Sequence, residues 1–485
     1  MKKVLLMERV MDQTRLAVVE DGRLCDLIHQ RPNDDNLSGN IYLGRVENVL
    51  PGMNAAFVDF GMEKKGFLAA SDIRLFAQGD RTLAGMLGKA RIENLVRLGQ
   101  QLLVQAIRAE PGAKGARLSC HITLPGRSMV LLAGIQYVGV SRKIKGEDER
   151  ARLRGIGLSL TKGGADGVIL RTAAQGMDVA QLRSEFAALK TRWAEIQRRG
   201  EYSAGPKLVH DDNDLALHAV RDMLAEDVEA LWADDEVCYD RLRTLAGSMA
   251  PALQDRIQRH TGDTPLFDLY RVDAQADKAL QRYVWLKSGG SLVIEETEAL
   301  TVVDVNTGKN TGRRDADDTI LAVNCEAARE LMRQLRLRDI GGMIVVDFIN
   351  MQKQADRDAL MTVLRECAAG DRNRTRVVDI TALGLVELTR KRARQSLSKQ
   401  LTHTCPDCDG NGVVPAHEAT ARRALRELWR RRRGGDDTAL RLEAAAGVCC
   451  WIRRIGIPDG GRLELSPSDA LGSGAYRFTP IQIEN

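Results

Sequence analysis

Two short apolar runs, each ending at an aspartate, constrain this chain more than anything else in it. Leu300–Val305 carries Thr301-Val302-Val303 into Asp304, and Met343-Ile344-Val345-Val346 runs into Asp347. Between them Ile320, Val323, Ala327, Leu331 and Leu335 recur at steps of three and four, the period of a helix with one buried face. Asp318 or Thr319 can cap that helix, and Gly341-Gly342 can end it. A strand, a helix and a second strand in this order predict a crossover unit with parallel strands, almost always right-handed. A further helix near 354–368 and a third strand, Arg376–Ile380, repeat the pattern, so this region is expected to be an α/β sheet.

Parallel strands put both carboxylates at one carboxyl edge, where open α/β sheets bind ligands. If the strands are also neighbours, the repulsion between Asp304 and Asp347 must be relieved by a proton or a cation. Hard oxygen donors with few protein contacts suit Mg²⁺, and Asn306 adds a neutral oxygen. A water on such an ion could attack a phosphodiester. Aspartates at strand ends also simply start turns; the paired placement and the thirteen-residue polar loop Asn306–Asp318 favour the metal. The Asp315-Ala316-Asp317-Asp318 cluster reads as a helix start complementing the dipole. None of the seven histidines sits in a pattern that suits a catalytic acid–base pair, which favours a metal-assisted route.

The rest of the chain is organised differently. Val4–Met7, Arg15–Glu20 and Arg23–His29 alternate about Asp21-Gly22, a hairpin signal. From Gly39 to about residue 118 short strands alternate with glycine turns, with a helical period only near Arg91–Gln101; a small closed β-barrel is expected. Phe57 and Phe67 fall there, in a chain only 4% aromatic, interleaved with Arg45, Lys64, Lys65, Arg108, Lys114 and Arg117. A barrel of this kind binds single strands by stacking bases on aromatics and tracking phosphates with cations; each phenylalanine could equally be core. A β-rich stretch follows to about residue 175, ending at Gly167-Val168-Ile169-Leu170-Arg171-Thr172. A guanidinium fork beside a hydroxyl suits a terminal phosphate, though an exposed Arg-Thr at a strand end is common. Leu182, Phe186, Leu189, Trp193 and Ile196 predict an amphipathic helix, and a mixed stretch runs on to about residue 280.

Composition sets the class. In 485 residues, 44% apolar and 28% charged describe a folded multidomain chain and exclude disordered or collagen-like types. No run approaches the 18 apolar residues of a membrane span, and the four-residue run after Lys3 is too short for an export core. Nine scattered cysteines are not a disulfide framework, so a reducing, cytoplasmic setting is expected. Net charge is only +5, so local clusters matter more: Arg390-Lys391-Arg392-Ala393-Arg394, and Arg422–Arg433, whose helix carries Leu425, Leu428 and Trp429 on one face. Either a solvated basic surface or phosphate binding would explain them. Cys405-Pro406-Asp407-Cys408-Asp409-Gly410 reads as half of a tetrahedral Zn²⁺ site; a redox pair is the competing reading, but such pairs normally open a helix after a strand and this one sits in a glycine loop. Either His403 or His417 completes the zinc site, or a second chain donates its own pair.

Taken together, several of these segments resemble the bacterial ribonuclease E/G endoribonucleases. They are Gly39-Asn40-Ile41-Tyr42, Ala56-Phe57-Val58-Asp59-Phe60-Gly61, Gly66-Phe67-Leu68, Ile169-Leu170-Arg171-Thr172-Ala173, Val303-Asp304-Val305-Asn306-Thr307-Gly308, Gly341 through Ile349, and Cys405 through Gly410. The length, without a long scaffold tail, points to the shorter members. The resemblance implies an RNase H-like fold split between 1–36 and 213–280, with an OB RNA-binding barrel (37–118) and a 5′-sensor (119–212) inserted. A DNase I-like catalytic domain (281–400), a zinc link (401–415) and a small C-terminal domain (416–485) would follow. By resemblance, Asp304 and Asp347 hold Mg²⁺ with Asn306 in support. Phe57, Phe67, Lys114 and Arg108 contact single-stranded RNA; Arg108 stands where a longer relative has lysine. Gly126, Val130, Arg171, Thr172 and Arg374 receive a 5′-monophosphate. Cys405 and Cys408 share Zn²⁺ with the same pair of a second chain, giving a homodimer and leaving a homotetramer open. The implied activity is cleavage of single-stranded RNA in rRNA maturation and mRNA turnover. The competing expectations are a non-catalytic RNA-binding or assembly protein using the barrel and basic helix, and a Mg²⁺-dependent phosphatase for small molecules.

Overall fold

The N-terminal strands Lys3–Val10, Gln13–Glu20 and Arg23–Gln30 pair as an antiparallel meander. Asp21 and Gly22 both take positive φ, 49° and 78°, the geometry whose twist matches a two-residue hairpin. The sheet is then completed from far along the chain. Val228–Ala233 lies parallel to Lys3–Val10, and Ile257–Arg259 lies parallel beyond it. Leu5, Met7, Leu16, Val220, Leu231 and Leu242 fill the core on one face. The computed structural model describes residues 2–30, 37–73, 91–108, 115–202, 205–307, 316–392, 394–456 and 462–481, and it divides into two units, Met1–Leu397 and Ser398–Asn485.

Between the two halves of that sheet stands the expected barrel. Ile41–Leu50, Ala55–Asp59, Gly66–Ala69, Arg117–Ser119 and Gln101–Arg108 are hydrogen-bonded in that order, and the first pairs again with the last. That second pairing closes five strands and removes the free edges. Tyr42 and Phe60 meet edge-to-face at 5.0 Å in its interior. The helical period near 91–101 yields only the 3₁₀ turn Ile92–Asn94 before the strand starts at Gln101. Asn54 accepts the Ile92 N–H at 2.8 Å, and Gly99 turns the chain at φ 77°.

A four-stranded sheet follows, built from Thr123–Pro125, Met129–Leu132, Val138–Val140 and Gly167–Leu170. The stretch is not purely β. Glu147–Thr161 is a helix that buries Leu153, Ile156 and Gly157. Gly155 and Gly157 thin out its apolar period, yet a Cβ at Gly157 would come within 2.6 Å of Val138, so the glycine is what lets helix and strand approach. The helix Val179–Glu201 buries Leu182, Phe186, Leu189, Trp193 and Ile196, as their spacing predicts, and starts at an Asp178–Gln181 capping box.

The third assembly is a six-stranded sheet. Its strands are β1 (Tyr283–Trp285), β2 (Ser291–Glu296), β3 (Leu300–Asn306), β4 (Gly342–Asp347), β5 (Thr375–Ile380) and β6 (Val386–Arg390), in the order β1-β2-β3-β4-β6-β5. Helices α1 (Ala316–Leu337) and α2 (Gln354–Ala369) supply Val323, Ala327, Leu331, Leu335, Leu360 and Leu364 to a core with Val303, Val305, Ile344 and Val346. β3 and β4 are parallel neighbours, as the crossover requires. The third strand of the repeat does not add beside β4. A hairpin returns β6 into that place, antiparallel to both β4 and β5, and leaves β5 at the edge. Two details of α1 also differ from expectation. Asp318 and Thr319 lie inside the helix, which already begins at Ala316, and the helix stops at Leu337 because Asp339 takes a left-handed φ of 49°.

The Ser398–Asn485 unit packs the helix His417–Arg433 and the helix Ala446–Ile455 with a three-stranded sheet, Leu440–Ala444, Leu463–Pro467 and Tyr476–Pro480. Ala421, Ala424, Leu428, Leu442 and Cys449 are its core. Trp429 is not on the buried face: it is 57% exposed, with the Arg433 guanidinium 4.7 Å from its ring centroid. No helix among the described residues is long and apolar enough to cross a membrane.

Candidate active site

Strand pairing decides how Asp304 and Asp347 relate. The two are direct partners across the parallel β3–β4 ladder, so their Cα atoms are about 4.8 Å apart. Val303, Val305 and Val346 face the helices and are buried, so alternation turns Asp304, Asn306 and Asp347 to the opposite, open face. All three are exposed. The Asn306 amide donates to Asp304 Oδ2 at 2.7 Å, which fixes the rotamer of the first carboxylate and leaves the Asn306 oxygen for another partner. Two carboxylates and one amide oxygen on a solvated face are hard donors with room for several waters, a set that fits Mg²⁺. The loop 308–315 lies outside the described residues.

Behind Asp347 a buried side chain holds the backbone in place. Asn324 on α1, fully buried, donates to the Ile349 carbonyl at 2.8 Å and accepts the Ile349 N–H at 3.1 Å. This two-point clamp ties the turn after β4 to the helix. Its only trace in the sequence is an amide one residue past Val323 in an otherwise apolar stretch, which periodicity alone does not flag.

The second group gathers in the four-stranded sheet. Val130 lies opposite both Pro125 and Ile169, and the Arg171 N–H donates to the Ser128 carbonyl at 2.7 Å. The Arg171 guanidinium donates to the Gly126 carbonyl at 2.6 Å and to Asp222 Oδ1 at 2.8 Å. The Thr172 hydroxyl is 3.3 Å from that of Ser141. So Gly126, Val130, Arg171 and Thr172 converge at one end of the sheet. Glu185 fastens the turn by accepting the Ser128 N–H at 3.0 Å, and a Cβ at Gly126 would come within 2.3 Å of that carboxylate. Burial works against charge on Asp222, but the His218 hydrogen bond and the charges of Arg221 and Arg171 outweigh it. They hold its carboxyl far below the usual range. Arg374 lies elsewhere, in the turn just before β5, with φ 53°.

On the barrel, Phe57 and Phe67 are direct cross-strand partners, half-buried, with ring centroids 6.2 Å apart. Neither joins the barrel core, which is made by their neighbours Ala56, Val58 and Leu68. They therefore form an outward aromatic pair. Of the interleaved cations, Lys65 is paired with Glu47 and Asp59, at 2.9 and 3.3 Å, and Arg117 with Asp72 at 2.8 Å. Lys114 and the Arg108 side chain lie outside the described residues.

The Ribonuclease E/G family model matches residues 123–393, over half of the chain, including Gly126, Arg171, Asp304 and Asp347. Ribonuclease G of Escherichia coli strain K12 is 38% identical over 448 residues, 92% of this chain and 91% of the relative. The chain belongs to the ribonuclease E/G family. Ribonuclease G of Haemophilus influenzae is also 38% identical, over 88% of this chain and 87% of its own. Ribonuclease E of Escherichia coli is 35% identical over 88% of this chain but only 40% of its own length.

In this ribonuclease E/G chain Cys405 is exposed and Cys408 half-buried. The Cys408 and Asp407 N–H groups point at the Cys405 sulfur and lower its pKa, which favours the thiolate that metals bind. Among the described residues no histidine, further cysteine or carboxylate joins the two thiols as a third ligand; His417 packs instead against Gly447. Among the described residues, the one group of three potential ligands is Asp234, Asp235 and Cys238. It is a helix start: Asp235 accepts the Cys238 N–H at 2.6 Å, and Asp234 accepts the Arg9 N–H at 2.8 Å. Within the run Arg390–Arg394, Lys391 and Arg392 are exposed, whereas the two flanking arginines are committed to carboxylates. Arg390 is buried on Asp371 and Asp339, and Arg394 pairs with Asp339 and Asp26.

Proposed function

We propose that this chain is a Mg²⁺-dependent endoribonuclease that hydrolyses single-stranded RNA, favours a 5′-monophosphate, and serves rRNA maturation and mRNA turnover in the cytoplasm. The observation that carries this reading is the register of Asp304 against Asp347 on an open sheet face. The names of the relatives, ribonuclease G and ribonuclease E, support the choice of RNA as substrate. In the same reading the split N-terminal sheet is RNase H-like, the barrel is an OB domain and the six-stranded sheet is DNase I-like.

Asp304 and Asp347 would hold the ion and Asn306 would keep Asp304 in its binding rotamer. When bound, the ion supplies Lewis-acid stabilisation of charge developing on the phosphate and acidifies an attacking water. Products then carry a 5′-phosphate and a 3′-hydroxyl. Phe57 and Phe67 would stack bases, with Lys114 and Arg108 tracking phosphates. Arg171 has two donors committed to Gly126 and Asp222, which orients the guanidinium and leaves others for a terminal phosphate. Thr172, Val130 and Arg374 would complete that receptor.

One RNA prepared with a 5′-monophosphate and with a 5′-hydroxyl, incubated with and without Mg²⁺, tests the reading. Cleavage only with the metal, faster for the monophosphate, and with 5′-phosphate product ends is expected. Cleavage in chelator, or 2′,3′-cyclic ends, would refute the hydrolytic site. Two thiolates per chain fit a tetrahedral Zn²⁺ shared between two copies, so the metal content is expected at one ion per two chains. Chelation should split the homodimer, and one ion per chain would overturn the sharing. Whether two such dimers join as a homotetramer is read from the mass before chelation.

A further inference from the structure

The open face of the six-stranded sheet carries two aromatic side chains that the carboxylate pair does not account for. Val284, the middle residue of β1, is buried in the core with Leu292 and Ile294. Alternation therefore sends Tyr283 and Trp285 to the other face, where they are 53% and 74% exposed. β1 is the edge strand of the sheet among the described residues.

The ladder fixes what they stand beside. Tyr283 is opposite Val293, Val293 opposite Asp304, and Asp304 opposite Asp347. Trp285 is opposite Ser291, which is opposite Asn306. Directly opposed residues present their side chains to one face. One row across the open face thus reads Tyr283, Val293, Asp304, Asp347, and the next reads Trp285, Ser291, Asn306. Two strand spacings put each aromatic about 10 Å from its acidic or amide counterpart, close enough for one nucleotide to bridge them.

The charges on this face say which part of a nucleic acid suits it. Its acidic side chains include Glu295 and Glu387 as well as the two aspartates. Further phosphates would be repelled there, while the flat, neutral face of a base would not. The local sequence Arg282-Tyr283-Val284-Trp285-Leu286-Lys287 interleaves exposed cations with the exposed rings. The Arg282 guanidinium lies 5.9 Å from the Tyr283 ring centroid and is ion-paired to Glu295. Aromatic platforms bounded by cations are how proteins bind single strands with little base preference.

We propose that Tyr283 and Trp285 stack the nucleobases flanking the phosphodiester bond at Asp304 and Asp347, so that the sheet holds its substrate by bases on one side and by the scissile phosphate on the other. The proposal rests on the carboxylate pair being the nuclease site. It makes the two rings substrate-binding residues that set where along a strand the cut falls.

Kinetics on one short RNA and on the same RNA with a single abasic nucleotide beside the cut tests it. For the unmodified RNA, W285A is expected to raise KM about 10- to 100-fold, with W285F restoring most of the loss. The abasic RNA should be a poor substrate for the wild-type chain and be cut equally by W285A, because the lost contact is the same. Y283A should behave alike for the base on its side. Thermal midpoints of the variants identify any failure to fold, and the abasic substrate probes the stack in the unaltered protein. An unchanged KM for W285A, or full cleavage of the abasic RNA by the wild-type chain, would overturn the stacking proposal. So would a W285A whose only change is a smaller oligomer by light scattering, which would mean another copy covers this face. Failure of the underlying reading looks different: D304N would then still cleave.

Discussion

Replacing Asp304 by asparagine is expected to slow RNA cleavage by about 10³-fold or more, while RNA binding changes by less than about threefold. The expectation follows from placement. Asp304 is exposed, its one described hydrogen bond is to Asn306, and its neighbour across the ladder is a second carboxylate. Removing its charge leaves the core untouched, so the fold and the barrel surface proposed to bind RNA should be kept. What is lost is half of the negative charge proposed to hold the divalent ion, and that ion would supply several kcal/mol of transition-state stabilisation, each ~1.4 kcal/mol being a factor of ten. Asp347→Asn should fall as far, and the double substitution little further, because the two carboxylates act as a unit. Single-turnover cleavage with saturating enzyme, together with filter binding of the same RNA, measures both quantities. A D304N chain that cleaves within tenfold of the wild type removes the metal from this face.

The largest effect on stability is expected at Asp371. Arg390 and Asp371 have side chains only 2% exposed, and Asp339 only 6%. Arg390 donates through Nε to Asp371 at 2.8 Å and through Nη1 to the Ile340 carbonyl at 2.8 Å. Asp371→Ala leaves a guanidinium in the interior facing one remaining carboxylate, and breaking a buried pair in this way costs about 3–5 kcal/mol. The pH dependence has a definite sign. Burial opposes charge on Asp371, but the Arg390 hydrogen bond and charge and the Thr375 hydroxyl prevail, so its pKa in the folded chain is lowered. Its contribution is therefore complete above the unfolded value of about 4 and is lost as the pH falls through the lower folded value. Urea midpoints between pH 3 and 7 should show D371A weakest relative to wild type at neutral pH, with the gap narrowing on acidification. A gap that widens toward pH 3 would contradict the assignment.

The legible parts of this molecule were those with a strong local signal. The two β-branched runs ending in aspartate mark β3 and β4 because a buried strand and its exposed end differ sharply in residue type. Asp21-Gly22 announces its hairpin because few residues accept two successive positive φ angles. Other features depend on neighbours distant in sequence. β6 is a five-residue strand inserted between β4 and β5, and no local pattern says which gap a hairpin will fill. Arg390 and Arg394 read as part of a cationic surface until Asp26, Asp339 and Asp371 are brought to them, while Lys391 and Arg392 between them stay exposed. Asn324, Tyr283 and Trp285 were silent for the same reason: one amide in an apolar helix and two aromatics in a three-residue strand acquire meaning only from the strands beside them. Glu147–Thr161 was missed through composition, since its glycines dilute the period that would reveal it.

The first strand of the protein is completed by one of the later ones. Lys3 finds its partner Val228 only after another 225 residues have been made. At the usual ~5–20 residues per second of synthesis, that wait is about 10–45 s. During it the strand holding Leu5, Leu6 and Met7, all fully enclosed in the finished molecule, has an uncovered flank on the ribosome. The barrel and the four-stranded sheet, encoded entirely within the interval, can close meanwhile. That flank of the first strand is therefore covered only once Val228–Ala233 has been made, while its other flank pairs locally with Gln13–Glu20.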